Sequence, residues 1–101
     1  MEEVKVIEHY LMVRMPQEVD HYKSSYICEE TDQKILTEDV ENIVFDFEDT
    51  KFMDSSGIGI IMGRYKKITA LGGRVIVLHP DPYIKKLLML SGIDRYVEIM
   101  E

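Results

Sequence analysis

The chain has 101 residues, of which 46% are hydrophobic and 31% charged, so we expect a single folded domain over residues 1–101. Its net charge of −7 argues against nucleic-acid binding, because an acidic surface repels the phosphate backbone. A single cysteine, Cys28, excludes an internal disulfide and a metal site built from thiolates. The N-terminus is acidic and no apolar run is long enough to cross a bilayer, so we expect a cytoplasmic protein without a membrane partner.

The charge is distributed unevenly along the chain. Residues 1–53 contain fourteen acidic and five basic side chains, a net charge of −9, whereas residues 54–101 carry a net charge of +2. A protein partner is therefore expected to present basic groups to the acidic half. Most of the individual charges are also compatible with an ordinary solvated surface.

The first part of the chain predicts two strands followed by a helix. Residues 4–8 and 10–15 have the pattern of short strands, either joined by a turn at Glu8-His9 or forming one bent strand. Asp20 is a suitable N-cap for a helix that continues to about Thr37. The predicted buried side of this helix consists of Tyr22, Ile27, Cys28 and Ile35, and its acidic outer side of Glu29, Glu30 and Asp32.

Strands and helices alternate through the rest of the chain. Residues 42–48 predict a central strand that is apolar on both faces. Asp46 interrupts it, either as a cap of a neighbouring backbone group, which we favour, or at the sheet edge near Asp54. There follow a helix from Ser56 to the glycines at 72 and 73, a strand over 74–79, a helix starting at Asp81-Pro82 and a strand over 96–99.

The element order ββαβαβαβ predicts an α/β fold. Strands that are joined through helices need crossover connections, and these make neighbouring strands parallel. We therefore expect a mixed, mostly parallel sheet of four to five strands with three or four helices. In such sheets, functional residues collect outside the carboxyl ends of the strands, so Asp20, Asp54 and Ser55 are expected together at that edge.

The segment Phe52-Met53-Asp54-Ser55-Ser56-Gly57-Ile58-Gly59 leads from a strand into an amphipathic helix. Its Asp-Ser-Ser triplet contains the residue types that cap helix starts. The apolar residues that follow have the spacing of one helical face: Ile58, Ile61, Met62, Tyr65 and Ile68. A hydroxyl at this position lies near the surface, beside backbone amides that favour negative charge. A phosphate there would be tolerated by the fold while changing the charge of the surface.

Catalysis and nucleotide binding are two alternative functions for this segment. Ser55 could be a nucleophile if His9, His21 or His79 served as its base, and the last two are expected near the same sheet edge. The turn lacks the Gly-x-Ser-x-Gly elbow of hydrolases, so we do not expect an enzyme. The glycine spacing also misses the dinucleotide-binding fingerprint.

Gly59 and Gly63 lie four residues apart on the same face of this helix. Each costs about 1 kcal/mol of helix stability relative to alanine, so another interaction must offset that cost. The groove that they leave either packs on the protein's own sheet or receives the backbone of a partner. We expect Gly59 to face the partner and Gly63 to face the sheet.

The segment from Phe52 to Gly59, with Gly63-Arg64-Tyr65-Lys66, resembles the signature of the STAS-domain anti-sigma factor antagonists of bacteria. The resemblance continues through residues 72–74, 82–87 and 90–93, and so covers the C-terminal two thirds well. Before the first helix, members of this family carry Gly-Glu-hydrophobic-Asp, where this chain has Gln17-Glu18-Val19-Asp20. The glycine is missing, but the partner-facing role of the aspartate carries over to Asp20.

The resemblance implies a STAS fold and a phosphorylation switch. Unmodified members bind an anti-sigma factor that is also a serine kinase, and thereby free a sigma factor. The kinase phosphorylates the serine that follows the motif aspartate, here Ser55, and a PP2C-type phosphatase reverses the reaction. ATP and Mg²⁺ belong to the kinase, so this chain is expected to carry no cofactor or metal. The implied partner-binding residues are Asp20, Asp54, Ser55, Ser56, Gly57, Ile58 and Gly59. The alternative is a STAS interaction module of a stress-signalling or lipid-transport assembly.

Overall fold

The computed structural model of the protein describes residues 3–101, which form seven strands, three α-helices and one short 3-10 helix. The strands are β1 (Val4–Ile7), β2 (Tyr10–Arg14), β3 (Glu18–Val19), β4 (Asn42–Asp46), β5 (Phe52–Met53), β6 (Val75–Leu78) and β7 (Glu98–Met100). The α-helices are α1 (His21–Thr37), α2 (Ser55–Ala70) and α3 (Pro82–Ser91), and the 3-10 helix is Ile93–Arg95.

Five strands form the main sheet in the order β1-β2-β4-β6-β7. The pair β1–β2 is antiparallel, whereas the pairs β2–β4, β4–β6 and β6–β7 are parallel. The prediction of a mixed, mostly parallel sheet of four to five strands with three or four helices is therefore confirmed. A second, two-stranded parallel sheet pairs β3 with β5. The sequence did not predict this sheet, because two-residue strands are too short to show a pattern.

The three helices contribute to one hydrophobic core on one face of the main sheet. That core contains strand residues such as Leu11, Phe45 and Val77 together with helix residues such as Ile61 and Leu88. Successive residues of a strand point to opposite faces, so every second strand residue lies on the other side of the sheet. Within residues 3–101, no helix combines the length and the apolar character needed to cross a bilayer.

The contacts of α1 differ from the prediction at two residues. The sequence predicts Tyr22 on the buried side, but Tyr22 is 87% exposed, and the helix buries Ser24 and Thr31 together with the predicted Ile27. The sequence predicts Asp32 on the outer side, but its Oδ1 lies 3.0 Å from Nε of Arg64 in α2. Arg64 is only 7% exposed. Both predictions were wrong because the position of α2 decides which residues of α1 it covers.

Aspartates begin all three helices. Side chains of Asp20, Asp54 and Asp81 accept hydrogen bonds from backbone N–H groups in the first turns of α1, α2 and α3. These bonds satisfy donors that a helix start otherwise leaves unpaired. Asp46 accepts a bond of 3.0 Å from the N–H of Glu48, which confirms its predicted capping role. Gly92, with φ of 79°, ends α3 in the left-handed conformation that glycine favours.

Candidate functional site

The small sheet of β3 and β5 brings the two predicted site aspartates to one edge. Val19 pairs with Met53, and the N–H of Asp54 donates to the carbonyl of Val19 over 3.0 Å. Because β3 and β5 are parallel, Asp20 and Asp54 follow them at the same end, and each begins a helix. The structure thus places Asp20, Asp54 and Ser55 together, at the edge of the small sheet.

A buried threonine fixes the segment that carries β5. Thr50 is fully buried, and its hydroxyl donates to the carbonyl of Pro16 over 2.8 Å. The N–H groups of Lys51 and Phe52 both donate to the carbonyl of Gln17, at 2.8 and 3.2 Å. These bonds hold the segment before Asp54 against the segment before Asp20. Sequence reasoning missed Thr50, because its role depends on a contact 34 residues away.

The Asp54 carboxylate accepts two hydrogen bonds from Ser56. Its Oδ1 accepts a 2.9 Å hydrogen bond from the backbone N–H of Ser56 and a further bond from the hydroxyl of Ser56. The hydroxyl and N–H of Ser56 lower the pKa of Asp54 below its ordinary value, with a smaller contribution from His21. Asp54 is therefore ionised at neutral pH. The sequence indicates His21 only as a candidate base for Ser55, and does not predict its effect on the pKa of Asp54.

Ser55 and Ser56 differ in what their hydroxyls contact. Ser56 is half-buried, and its hydroxyl donates to Asp54. Ser55 is the first residue of α2 and is exposed. In the part of the chain that the structure describes, the Ser55 hydroxyl has no hydrogen-bond partner. Only the Ser55 hydroxyl is thus presented to solvent at the helix start.

The glycines of α2 have different surroundings. A Cβ at Gly57 would overlap the side chain of Met53, so this buried glycine allows β5 to pack closely on α2. A Cβ at Gly59 or Gly63 would meet nothing within 4 Å. The prediction that Gly63 faces the sheet was therefore wrong. Gly59 is exposed beside the half-buried Ile58, one helical turn from Ser55, and together these residues give a smooth surface.

Two exposed aromatic side chains flank the aspartates. Tyr22 lies two residues after Asp20 and is 87% exposed, and Phe52 lies two residues before Asp54 and is 45% exposed. Aromatic residues are enriched in protein–protein interfaces, where they contribute large apolar contact areas. Sequence reasoning missed both of them, because it placed Tyr22 in the core and treated Phe52 as part of a strand.

The arrangement does not form a nucleophile–base pair. No histidine ring within residues 3–101 makes a hydrogen bond to the Ser55 hydroxyl, which activation of a serine nucleophile requires. Among the described residues, the one group with the spacing of metal ligands consists of His9, Asp39 and Glu41, all of them exposed. That group lies at the β1–β2 turn and before β4, away from Ser55.

Comparison with known proteins identifies relatives over nearly the whole chain. Residues 2–101 match the family model of the STAS domain. The chain is 37% identical over 98 residues to an anti-sigma F factor antagonist from Paenibacillus polymyxa, an alignment that covers 94% of this chain and 84% of the relative.

Two solved structures share the fold and a similar level of identity. The anti-sigma factor antagonist SpoIIAA in its unphosphorylated form matches with a TM-score of 0.86 and 30% identity, over 95% of this chain and 84% of that one. The Bacillus cell fate determinant SpoIIAA in the phosphorylated form matches with a TM-score of 0.76 and 32% identity, over 94% of this chain and 86% of that one. By its family match, its relatives and its fold, the chain belongs to the STAS domain family.

Proposed function

We propose that this protein is a cytoplasmic anti-sigma factor antagonist that is switched by phosphorylation of Ser55. The unphosphorylated form binds an anti-sigma factor that is also a serine kinase, and a sigma factor is thereby released. The kinase modifies Ser55 and ends the interaction, and a PP2C-type phosphatase restores the active form. The relatives named anti-sigma factor antagonists, and the two forms of SpoIIAA, support this proposal.

The observation that carries the proposal is the exposed, unbonded hydroxyl of Ser55 beside the bonded hydroxyl of Ser56. A kinase needs an accessible hydroxyl, which Ser55 offers at the surface. The start of α2 also suits a phosphate, because unpaired backbone N–H groups and the helix dipole favour negative charge there. Modification is therefore compatible with the folded domain.

A phosphate at Ser55 would change the electrostatics of the proposed binding surface. It adds about 1.5 to 2 negative charges at neutral pH. These charges arrive next to the Asp54 carboxylate, at the edge that also carries Asp20. A partner that complements the unmodified surface then meets excess negative charge and must desolvate it, which weakens binding.

The proposed partner-binding surface combines both helix starts of this edge. Its members on the two helices and their caps are Asp20, Asp54, Ser55, Ser56, Ile58 and Gly59. The exposed rings of Tyr22 and Phe52 supply apolar area on either side. Gly57 is buried, so it supports this surface by packing against Met53.

Phosphosite mapping tests the proposal. Proteins captured from the source cell by the unmodified chain provide the kinase, and the chain is then incubated with that kinase, ATP and Mg²⁺. Peptide mass spectrometry should find a single phosphate on Ser55. Ser56→Ala should still accept the phosphate and Ser55→Ala should not. Phosphate on Ser56, or phosphate retained in Ser55→Ala, would overturn the assignment of the site.

A further inference from the structure

One row of side chains crosses all five strands of the main sheet on the face opposite the core. The strand register places Lys5 beside Met12, Met12 beside Val44, Val44 beside Ile76 and Ile76 beside Glu98. The strand residues that follow these along the chain, Val6, Val13, Phe45, Val77 and Ile99, all pack on the core. Because side chains alternate along a strand, the row faces away from the helices.

The row is apolar in its centre and oppositely charged at its two ends. Val44 and Ile76 are 5% and 9% exposed, and Met12 is half-buried. Lys5 and Glu98 are both exposed. Within residues 3–101, Lys5 forms no ion pair, and Glu98 pairs with the exposed Arg74 at 3.1 Å.

We propose that this sheet face binds a second copy of the same chain. A two-fold axis parallel to the strands and passing over β4 places β1 opposite β7 of the second copy, and β2 opposite β6. Lys5 of each copy then faces Glu98 of the other, Met12 faces Ile76, and Val44 faces Val44. The row is thus complementary to itself in charge and in hydrophobicity, as a symmetric dimer interface requires.

The next row towards the carboxyl ends of the strands limits the strength of the proposed association. It contains Arg14, Asp46, Leu78 and Met100 in register. Asp46 lies near the axis and would face its own copy. The guanidinium of Arg14 lies 4.0 Å from the Asp46 carboxylate but closer to Asp49 and Glu48, at 3.2 and 3.3 Å, so this row keeps a negative charge that opposes association. The same axis places Leu78 opposite Arg14 of the second copy, and the 52% exposed Met100 at the outer edge of the interface.

The dimer is expected to be weak and concentration-dependent. Five strands spaced about 4.8 Å apart give a face only about 20 Å wide, so the interface falls at the small end of specific interfaces. The helices, and with them Ser55, lie on the opposite side of the sheet. Each copy therefore keeps its own Ser55 site accessible, and the inference is independent of the proposed function.

Charge reversal at the two ends of the row tests the proposed pairing. Sedimentation equilibrium of the full chain over a wide concentration range should show a monomer–dimer equilibrium. Lys5→Glu and Glu98→Lys should each raise the dimer Kd about tenfold or more, because each places like charges opposite each other twice. In an equimolar mixture of the two variants, each copy carries the charges that the other lacks, so association should return towards the wild-type value.

Matched controls separate this pairing from a general effect of net charge. Lys86→Glu and Glu29→Lys change the net charge equally at exposed positions of α3 and α1, and should leave the dimer Kd unchanged. Circular dichroism melts check that every variant is folded. A wild-type chain that stays monomeric at all concentrations would overturn the inference. So would single variants that match their controls, or a mixture that associates no better than its components.

Discussion

The Asp54 carboxylate decides which of two neighbouring serines presents its hydroxyl. Its Oδ1 accepts hydrogen bonds from the hydroxyl and the N–H of Ser56, whereas the hydroxyl of Ser55 is exposed to solvent. The sequence predicts that the Ser56 hydroxyl caps the helix, because Ser56 lies one residue closer to the helix body than Ser55. That prediction was wrong, because Asp54 is the N-cap of α2 and the Ser56 hydroxyl donates to its carboxylate. Phosphorylation of Ser55 stays a prediction.

The substitution Ser56→Ala should raise the pKa of Asp54 towards its ordinary value. The Ser56 hydroxyl is the largest cause of the lowered pKa, and alanine removes it while keeping the backbone N–H. Titration of the Asp54 carboxyl by NMR measures the change. Ser55→Ala is the matched control, and because the Ser55 hydroxyl does not contact Asp54, this variant should leave the pKa unchanged.

The lowered pKa also determines how this carboxylate affects stability as pH changes. A group whose pKa is lower in the folded state stabilises the fold above its unfolded pKa, and this contribution is lost as pH falls through the folded pKa. The free energy of unfolding of the wild type should therefore fall more steeply in acid than that of Ser56→Ala. Equal pKa values of Asp54 in the two proteins would contradict this account.

At the scale of the helices, the three glycines of α2 should respond differently to alanine. Gly59→Ala and Gly63→Ala should raise the free energy of unfolding by about 0.5 to 1 kcal/mol, because alanine stabilises a helix relative to glycine and its methyl group would displace no neighbour. Gly57→Ala should lower it by about 1 to 3 kcal/mol, because the new methyl group overlaps Met53. Urea denaturation measures all three.

Binding of the proposed kinase should distinguish Gly59 from Gly63, the two glycines at which an added Cβ would meet no neighbour. Gly59 lies one turn from Ser55 on the proposed partner surface, so Gly59→Ala should bind the kinase more weakly although it is more stable. Gly63 lies about 12 Å along the helix from Ser55 and serves as the matched control. A Gly59→Ala protein that binds as well as Gly63→Ala would show that Gly59 does not contact the partner.

The ion pair between α1 and α2 should make Asp32 important for stability. Asp32→Asn would leave the guanidinium of Arg64 buried without its counter-charge. Breaking a fully buried pair costs about 3 to 5 kcal/mol, and since Asp32 is 38% exposed we expect about 1 to 3 kcal/mol. Glu29→Gln, an exposed position of the same helix, should change stability by less than about 0.5 kcal/mol. Equal stability of the two variants would contradict the prediction.

Local sequence patterns predicted the elements but not all of their contacts. The caps at Asp20, Asp54 and Asp81 were predictable because a cap depends on residues within one helical turn. The Asp32–Arg64 pair was not, because it depends on how two helices pack. The pairing of β5 with β3 was also not predicted, because it involves only two residues on each side.

At the scale of the whole molecule, the main sheet separates two surfaces. The helices and the Ser55 site lie on one side, and the row from Lys5 to Glu98 lies on the other. The acidic excess belongs to residues 1–53, which contribute β3 and α1 to the Ser55 edge. A phosphate on Ser55 would therefore add negative charge to an edge that already contains carboxylates, and we expect it to weaken the binding of a partner.

The central claim is that negative charge at Ser55 weakens the binding of the proposed anti-sigma factor kinase. Calorimetric titration of that kinase with wild type, Ser55→Asp and Ser55→Asn tests this claim most directly. Asparagine matches aspartate in shape and lacks its charge, and a helix start accepts both, so all three proteins should melt at similar temperatures. Ser55→Asp should bind about 1 to 3 kcal/mol more weakly than wild type, whereas Ser55→Asn should remain close to wild type. Equal affinities of folded Ser55→Asp and Ser55→Asn would contradict a switch based on charge at Ser55.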